Sequence, residues 1–113
     1  MINVVTQAKL WYWQRLSAMV LALCVVSHLA MIVYASRGGL TAAEILARTR
    51  GNAPFAAFYS VFVATCAIHV PIGLKSIAVE WLRWRERSAS IAAAIIALAL
   101  LVMGLRAVYA IFV

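Results

Sequence analysis

The strongest constraint on this chain is the presence of three long apolar stretches within only 113 residues. They run from about Trp11 to Ala35, from Phe55 to Leu82 and from Ala89 to Val113. Each is long enough to cross a bilayer hydrocarbon core of about 30 Å as a helix. Hydrophobic residues make up 67% of the chain and charged residues only 12%, against about 25% charged residues in a soluble domain. The sequence therefore predicts an all-α integral membrane protein with one transmembrane domain, a bundle of three helices spanning residues 1–113.

The connection between the first two stretches carries a helix signal of its own. Thr41 and Glu44 have the spacing of a capping box, in which each side chain bonds the backbone N–H of the other residue. Gly51 and Asn52 end the pattern. We expect a short interfacial helix at this point. The second connection, residues 83–88, is expected to be a tight basic turn.

The net charge of +7 follows a membrane topology. Basic residues at one membrane face outnumber those at the other by six to three, and the tryptophans gather at the richer face. Basic loops stay in the cytoplasm, which predicts a multi-pass protein of the cell inner (plasma) membrane, N-terminus cytoplasmic and C-terminus outside. Membrane lipid is then a partner and nucleic acid is not. The six are Lys9, Arg15, Lys75, Arg83, Arg85 and Arg87; the three are Arg37, Arg48 and Arg50.

The apolar stretches contain neither the pattern of a cleavable signal peptide nor that of covalent haem attachment. The N-terminal stretch lacks the features of a cleavable signal, so we expect the first helix to be retained. Cys24 and Cys66 lie inside the first and second helices, and neither belongs to the C-x-x-C-H pattern of covalent haem attachment. We interpret both cysteines as packing residues.

Polar residues fall on a single stripe of each of the first two helices. A polar side chain in hydrocarbon costs a few kcal/mol, so each one needs a partner or a purpose. Both histidines of the chain lie on these stripes. The first stripe consists of Gln14, Ser17, Leu21, Cys24, His28 and Met31, and the second of Thr65, His69, Gly73, Ser76 and Glu80.

Two inward-facing histidines favour ligation of haem iron, because neutral imidazole is a good haem ligand and helix bundles hold haem. Gly73, one turn beyond His69, leaves room for a porphyrin against the backbone. The alternative is that each histidine only donates a hydrogen bond to a neighbouring helix. His28 and His69 are expected to differ in depth by about 10 Å, whereas the axial nitrogens of one iron are about 4 Å apart. Two haem b groups at different depths, each completed by a histidine from another chain, fit this spacing better than one haem within the chain. We therefore expect one or two haem b groups per assembly.

The polar stripes also carry a resemblance to a known family. Residues 14–18, Gln-Arg-Leu-Ser-Ala, followed by His28, resemble the first helix of the cytochrome b subunits of the succinate dehydrogenase/fumarate reductase (complex II) superfamily. Residues 69–75, His-Val-Pro-Ile-Gly-Leu-Lys, followed by Glu80, are similar to the second-helix pattern His-x-x-x-Gly-x-Arg of that superfamily. The resemblance covers the first two helices in order, and the third helix has no motif of its own.

The resemblance implies a membrane subunit that binds haem b and quinone, receives electrons through an iron–sulfur subunit and anchors a flavoprotein subunit. It implies His69 as an axial haem ligand and His28 at the position of the first-helix ligand of di-haem members. Arg15 and Ser17 would border the quinone or a haem propionate, and Lys75 replaces the usual Arg. Di-haem members have five helices and four ligands, so the missing ligands here imply a second membrane subunit, either a second copy of this chain or a different anchor.

This chain departs from the family pattern at two positions of the first helix. Gln14 replaces a histidine of the one-haem members, and Trp11 replaces a serine of the quinone site. The first hypothesis is therefore a haem b-binding anchor subunit that has no catalytic activity alone and passes electrons between an iron–sulfur partner and quinone. A haem-free anchor or assembly subunit, in which the histidines only tie helices together, is the alternative. A small transporter subunit is a third, weakened because no carboxylate lies in the middle of a helix.

Overall fold

The chain forms four α-helices joined by short connections in a computed structural model that describes residues 3–113. They are α1 (Val4–Gly38), α2 (Ala42–Thr49), α3 (Ala53–Glu80) and α4 (Glu86–Phe112). Helices α1, α3 and α4 are long and apolar enough to cross a membrane, and the described residues contain no strand. The molecule is elongated, 51 × 23 × 22 Å. The predicted all-α membrane fold with a short helix between the first two spans is confirmed.

Each membrane helix begins before the apolar run that predicted it. Helix α1 begins at Val4 because Asn3 caps it, its Oδ1 accepting the N–H of Thr6 at 2.8 Å. Helix α4 begins at Glu86, so the prediction of a turn over residues 83–88 is wrong for residues 86–88. The connection occupies residues 81–85 instead, where Arg83 takes a φ of 56°. Apolar runs mark only the part of each helix that lies in hydrocarbon, and capped helix ends extend beyond it.

Helix α2 starts with the predicted capping box. The N–H of Glu44 donates to Thr41 Oγ1 at 3.2 Å, and the N–H of Thr41 donates to Glu44 Oε2 at 3.1 Å. Gly39 precedes the box with a φ of 104°, a conformation that residues with a Cβ rarely adopt. The chain can therefore turn sharply out of α1 and enter α2 within a few residues.

Helix α2 also fastens one end of the bundle. The Arg48 guanidinium donates to the carbonyl oxygen of Gly39 at 2.7 Å, near the end of α1. Thr49 Oγ1 donates to the carbonyl of Ile111 at 2.7 Å, and the N–H of Gly51 donates to the carbonyl of Phe112 at 2.9 Å, both at the end of α4. These bonds satisfy carbonyls that a helix end leaves unpaired. We refer to this end as the α2 end and to the opposite one, with residues 81–85, as the loop end.

Helix α3 is central, because it packs against both α1 and α4 and most extensively against α4. Gly104 of α4 permits a close approach, since a Cβ at this position would collide with the side chain of Val63. Ala89 of α4 is 2% exposed. Small residues let helix backbones approach closely in membranes, which explains why the α3–α4 contact is the tighter one.

The distribution of burial is the reverse of that in a soluble protein. The buried residues within the three long helices are small or polar, among them Ser17, Cys24 and Thr65. Large apolar side chains face outward instead, with Leu23 72% and Met103 70% exposed. Lipid solvates such side chains, whereas polar groups in hydrocarbon must find partners inside the protein. The predicted polar stripe of α1 is therefore the surface that packs within the molecule.

Candidate functional site

The first polar cluster lies where α1 crosses α3 nearer the loop end. Ser17 of α1 is 4% exposed, and its Oγ lies 3.3 Å from Nδ1 of His69 on α3. The same Oγ donates to the carbonyl of Gln14, one turn earlier on α1, at 3.1 Å. Within the described residues, Nε2 of His69 has no hydrogen-bond partner. The imidazole is thus held at one nitrogen and open at the other.

The second polar cluster lies nearer the α2 end and pairs His28 of α1 with Tyr59 of α3. His28 Nδ1 is 3.0 Å from the Tyr59 hydroxyl. The imidazole ring meets the rings of Tyr59 and Phe62 edge-on, with centroids 5.6 and 5.7 Å away. A cavity of about 200 Å³ adjoins His28 between the ends of all four helices. That volume is below the range of about 300–1,000 Å³ that is usual for ligand pockets.

The two histidines are farther apart than the sequence predicted. Along α1, His28 is eleven residues from Ser17, the partner of His69, which corresponds to about 16 Å at 1.5 Å per residue. The prediction of about 10 Å assumed that the end of α1 and the start of α3 are level. They are not level. His28 lies beside Tyr59, and from these two residues α1 extends about one turn farther toward the α2 end than α3 does. His28 and His69 of one chain therefore cannot ligate the same iron, whose axial nitrogens are about 4 Å apart.

A cavity of about 500 Å³ opens between α1 and α3 at the loop end. Its walls combine an apolar surface with amide, ammonium, hydroxyl and carboxylate groups, a mixture typical of small-molecule sites. The cavity is lined by Gln7, Leu10, Trp11, Gln14, Ile72, Lys75, Ser76, Val79, Glu80 and Glu86.

Gln14 joins this cavity to the Ser17–His69 pair. Its Oε1 is buried and has no hydrogen-bond partner within residues 3–113. A Cβ at position 73 would lie 3.1 Å from Gln14 Nε2, so Gly73 makes room for the amide. A buried amide oxygen without a partner costs about 1–3 kcal/mol. Gln14 is therefore a polar residue that both lines the cavity and bonds Ser17 through its backbone carbonyl.

The remaining predicted site residues divide between the cavity and the surface. Lys75 lines the cavity beside Ser76. Arg15 is exposed and does not line it; its guanidinium carbon lies 5.6 Å from the centre of the Trp11 ring. Ser17, which we expect to border a quinone or a propionate, contacts the His69 imidazole. The structure thus brings Ser17, His69 and Gly73 together, places Lys75 next to them and keeps His28 apart.

Two further residues were not selected as site residues from the sequence. Gln14 was placed on the polar stripe of α1 but not assigned to the site. Tyr59 was overlooked, although it lies on the His69 side of α3, ten residues before it. Its signal was the helical spacing of Tyr59, Phe62, Cys66 and His69, which forms one continuous stripe.

Metal binding by protein ligands alone is not supported in the part of the chain that the structure describes. No three His, Cys, Asp or Glu side chains gather there in a metal-binding arrangement. Within the described residues, each imidazole is therefore a single candidate ligand and not part of a ligand cluster.

The fold and these clusters define a small polytopic membrane protein with an imidazole in each of two membrane helices and a cavity near one end. Residues 1–105 match the family described as succinate dehydrogenase/fumarate reductase transmembrane subunit, and the chain belongs to that family. Neither a curated protein nor a solved structure gives a significant match. The chain is therefore a membrane subunit of the complex II class, and the family resemblance predicted from its first two helices is confirmed.

Proposed function

We propose that this chain anchors a succinate dehydrogenase/fumarate reductase-type complex, binds haem b at His69 and passes electrons between an iron–sulfur subunit and membrane quinone. The membrane-anchor class follows from the family and the three spans. The haem and electron-transfer part of this proposal rests on the hydrogen bonding of His69. The buried Ser17 contacts its Nδ1, and its Nε2 has no hydrogen-bond partner within the described residues.

The residues around His69 fit haem b. A histidine that ligates a metal usually has its other ring nitrogen fixed by a protein group, and Ser17 supplies that group here. Haem b, when bound, supplies a one-electron couple within the membrane. A second membrane subunit, either another copy of this chain or a different anchor, would supply the other iron ligand, because His28 is too distant.

The cavity at the loop end suits a quinone head group. Leu10, Trp11 and Ile72 supply apolar surface, and Gln14 supplies an amide at the buried end. An amide can donate to a quinone carbonyl through its NH₂ and accept from a hydroquinone hydroxyl through its oxygen, so one residue serves both redox forms. Reduction of quinone consumes two electrons and two protons. Glu80 and Lys75 at the cavity wall are groups that can transfer those protons.

The basic and aromatic residues of the loop end support its placement in the cytoplasm of a cell with an inner membrane. Arg83, Arg85 and Arg87 are exposed there, and Trp81 and Trp84 are 80% and 49% exposed. Basic segments stay in the cytoplasm and tryptophan favours the membrane interface. The iron–sulfur subunit, carrying the flavoprotein subunit, would dock at this face, next to the quinone cavity.

One observation favours a second candidate function, that of a haem-free anchor or assembly subunit. Both imidazoles hydrogen-bond across the α1–α3 interface, as residues that only tie two helices together would do. In that case the open Nε2 atoms would carry no ligand. Haem content of the purified complex separates the two candidates. We set the transporter hypothesis aside, because the chain belongs to a family of succinate dehydrogenase/fumarate reductase membrane subunits.

The quinone role is tested by replacing Gln14 with Leu, which keeps the volume and removes the amide. In the purified complex we expect electron transfer to quinone to fall about 2- to 13-fold, the equivalent of one neutral hydrogen bond of about 0.5–1.5 kcal/mol. Electron transfer from succinate to a water-soluble dye, which bypasses the membrane site, should be unchanged. Ser27→Ala is the matched control, since Ser27 is an exposed polar residue of the same helix, outside the cavity. An unchanged quinone rate in Gln14→Leu would contradict the role of the cavity.

A further inference from the structure

The hydrogen bonds of Ser17 determine which nitrogen of His69 carries the proton. A serine hydroxyl has one proton to donate. The carbonyl of Gln14 can only accept, so its 3.1 Å contact with Ser17 Oγ uses that proton. Both contacts of Ser17 are hydrogen bonds only if His69 Nδ1–H donates to Ser17 Oγ across the 3.3 Å separation. Neutral His69 is therefore protonated at Nδ1, and its Nε2 holds a lone pair.

The surroundings of His28 favour the opposite tautomer, with the proton on Nε2. The Tyr59 hydroxyl makes one hydrogen bond within the described residues, the 3.0 Å contact to His28 Nδ1. A phenol is a stronger donor than a neutral imidazole N–H, and an imidazole nitrogen is a stronger acceptor than a phenol oxygen. Within the described residues neither group has another hydrogen-bond partner, because Arg48 and Thr49 of the same cavity donate to backbone carbonyls near the ends of α1 and α4. The stronger pairing therefore prevails. The Tyr59 hydroxyl therefore donates to Nδ1, and the proton of neutral His28 is on Nε2.

We infer that the two intramembrane histidines are held in opposite tautomers, so that without a reversal of hydrogen bonds only His69 offers an Nε2 lone pair to an iron. Iron binds a ring nitrogen through its lone pair, which His69 presents at Nε2 and His28 does not. The consequence for haem rests on the proposed function, whereas the tautomers do not. Ser17 is a positioning residue in this scheme, and the Tyr59–His28 pair is a tie between α1 and α3.

The tautomers can be measured directly in the full chain, reconstituted in lipid without haem and labelled with ¹⁵N at histidine only. The chain has two histidines, so His28→Gln and His69→Gln assign the signals. We expect the protonated nitrogen to be Nδ1 in His69 and Nε2 in His28. Tyr59→Phe should shift only the His28 signals, and Ser17→Ala only those of His69. The same tautomer at both positions would overturn the inference.

Haem stoichiometry then separates this inference from the proposed function. In the assembled complex, His28→Gln should retain all the haem of the unmodified protein, with an unchanged α-band and midpoint potential. Loss of half the haem in His28→Gln would refute the single-ligand assignment while leaving the haem-binding function intact. If the unmodified complex contains no haem, the proposed function fails, and the NMR result still decides the tautomers.

Discussion

Replacing Ser17 with Ala should weaken haem binding without unfolding the protein. The change removes one hydroxyl that is 4% exposed and leaves His69 Nδ1–H without an acceptor between α1 and α3. Hydrogen bonds between membrane helices are worth about 0.6 kcal/mol on average and at most about 1.7 kcal/mol, so the bundle should tolerate the loss. Groups that orient metal ligands matter more, and their removal costs about 10- to 100-fold in metal affinity. We therefore expect the haem affinity of Ser17→Ala to be about 10- to 100-fold lower than that of the unmodified complex.

The assay is the rate at which purified complex loses haem to an excess of a haem-scavenging globin, combined with a redox titration. Ser17→Thr keeps the hydroxyl and should restore both retention and midpoint potential. Ser27→Ala, an exposed position on the same helix, is the control for general effects of losing a serine. Equal haem retention in Ser17→Ala and the unmodified complex would refute the assignment of Ser17 as the residue that positions His69.

Three further predictions concern packing, docking and assembly. Gly104→Leu should prevent α4 from packing on α3, because a side chain there collides with Val63, and should sharply lower the yield of folded protein in detergent; an unchanged yield would contradict the close crossing. Exchanging Arg83, Arg85 and Arg87 for Gln should weaken retention of the iron–sulfur subunit in a salt-dependent way, and equal retention at all salt concentrations would reduce these residues to a topology signal. Native mass spectrometry should show a second membrane chain beside this one, and a haem-containing complex with a single copy and no other membrane chain would be inconsistent with the missing ligand.

The elements of the fold could be predicted because a lipid bilayer restricts which segments of the chain can span it. Helix length, apolar runs and the Thr41–Glu44 capping box each depend on neighbouring residues of the chain, and the structure contains all three features. The polar stripe of α1 was equally readable, since Ser17 and Cys24 are the residues of α1 that become buried. Periodicity identifies the face of a helix that packs, because lipid accepts only apolar side chains on the other faces.

The pairing of residues between helices could not be predicted from periodicity. Which residue of α3 lies level with His28 depends on how far α1 extends past the start of α3. That offset is set by the α2 connection, which is bonded to the ends of α1 and α4. For this reason Tyr59 was missed, and the separation of the histidines was underestimated. The unsatisfied oxygen of Gln14 is likewise a property of the packed interface, which no local pattern of the sequence records.

Optical spectroscopy of the purified complex tests most directly whether His69 is the haem ligand of this subunit. The unmodified complex should show a Soret band and, on reduction, a sharp α-band, with haem quantified against the amount of this chain. His69→Gln should lose that spectrum while the complex still assembles, and His28→Gln should keep it. A full haem complement in His69→Gln, or a complex that contains this chain but has no haem absorbance, would contradict the account.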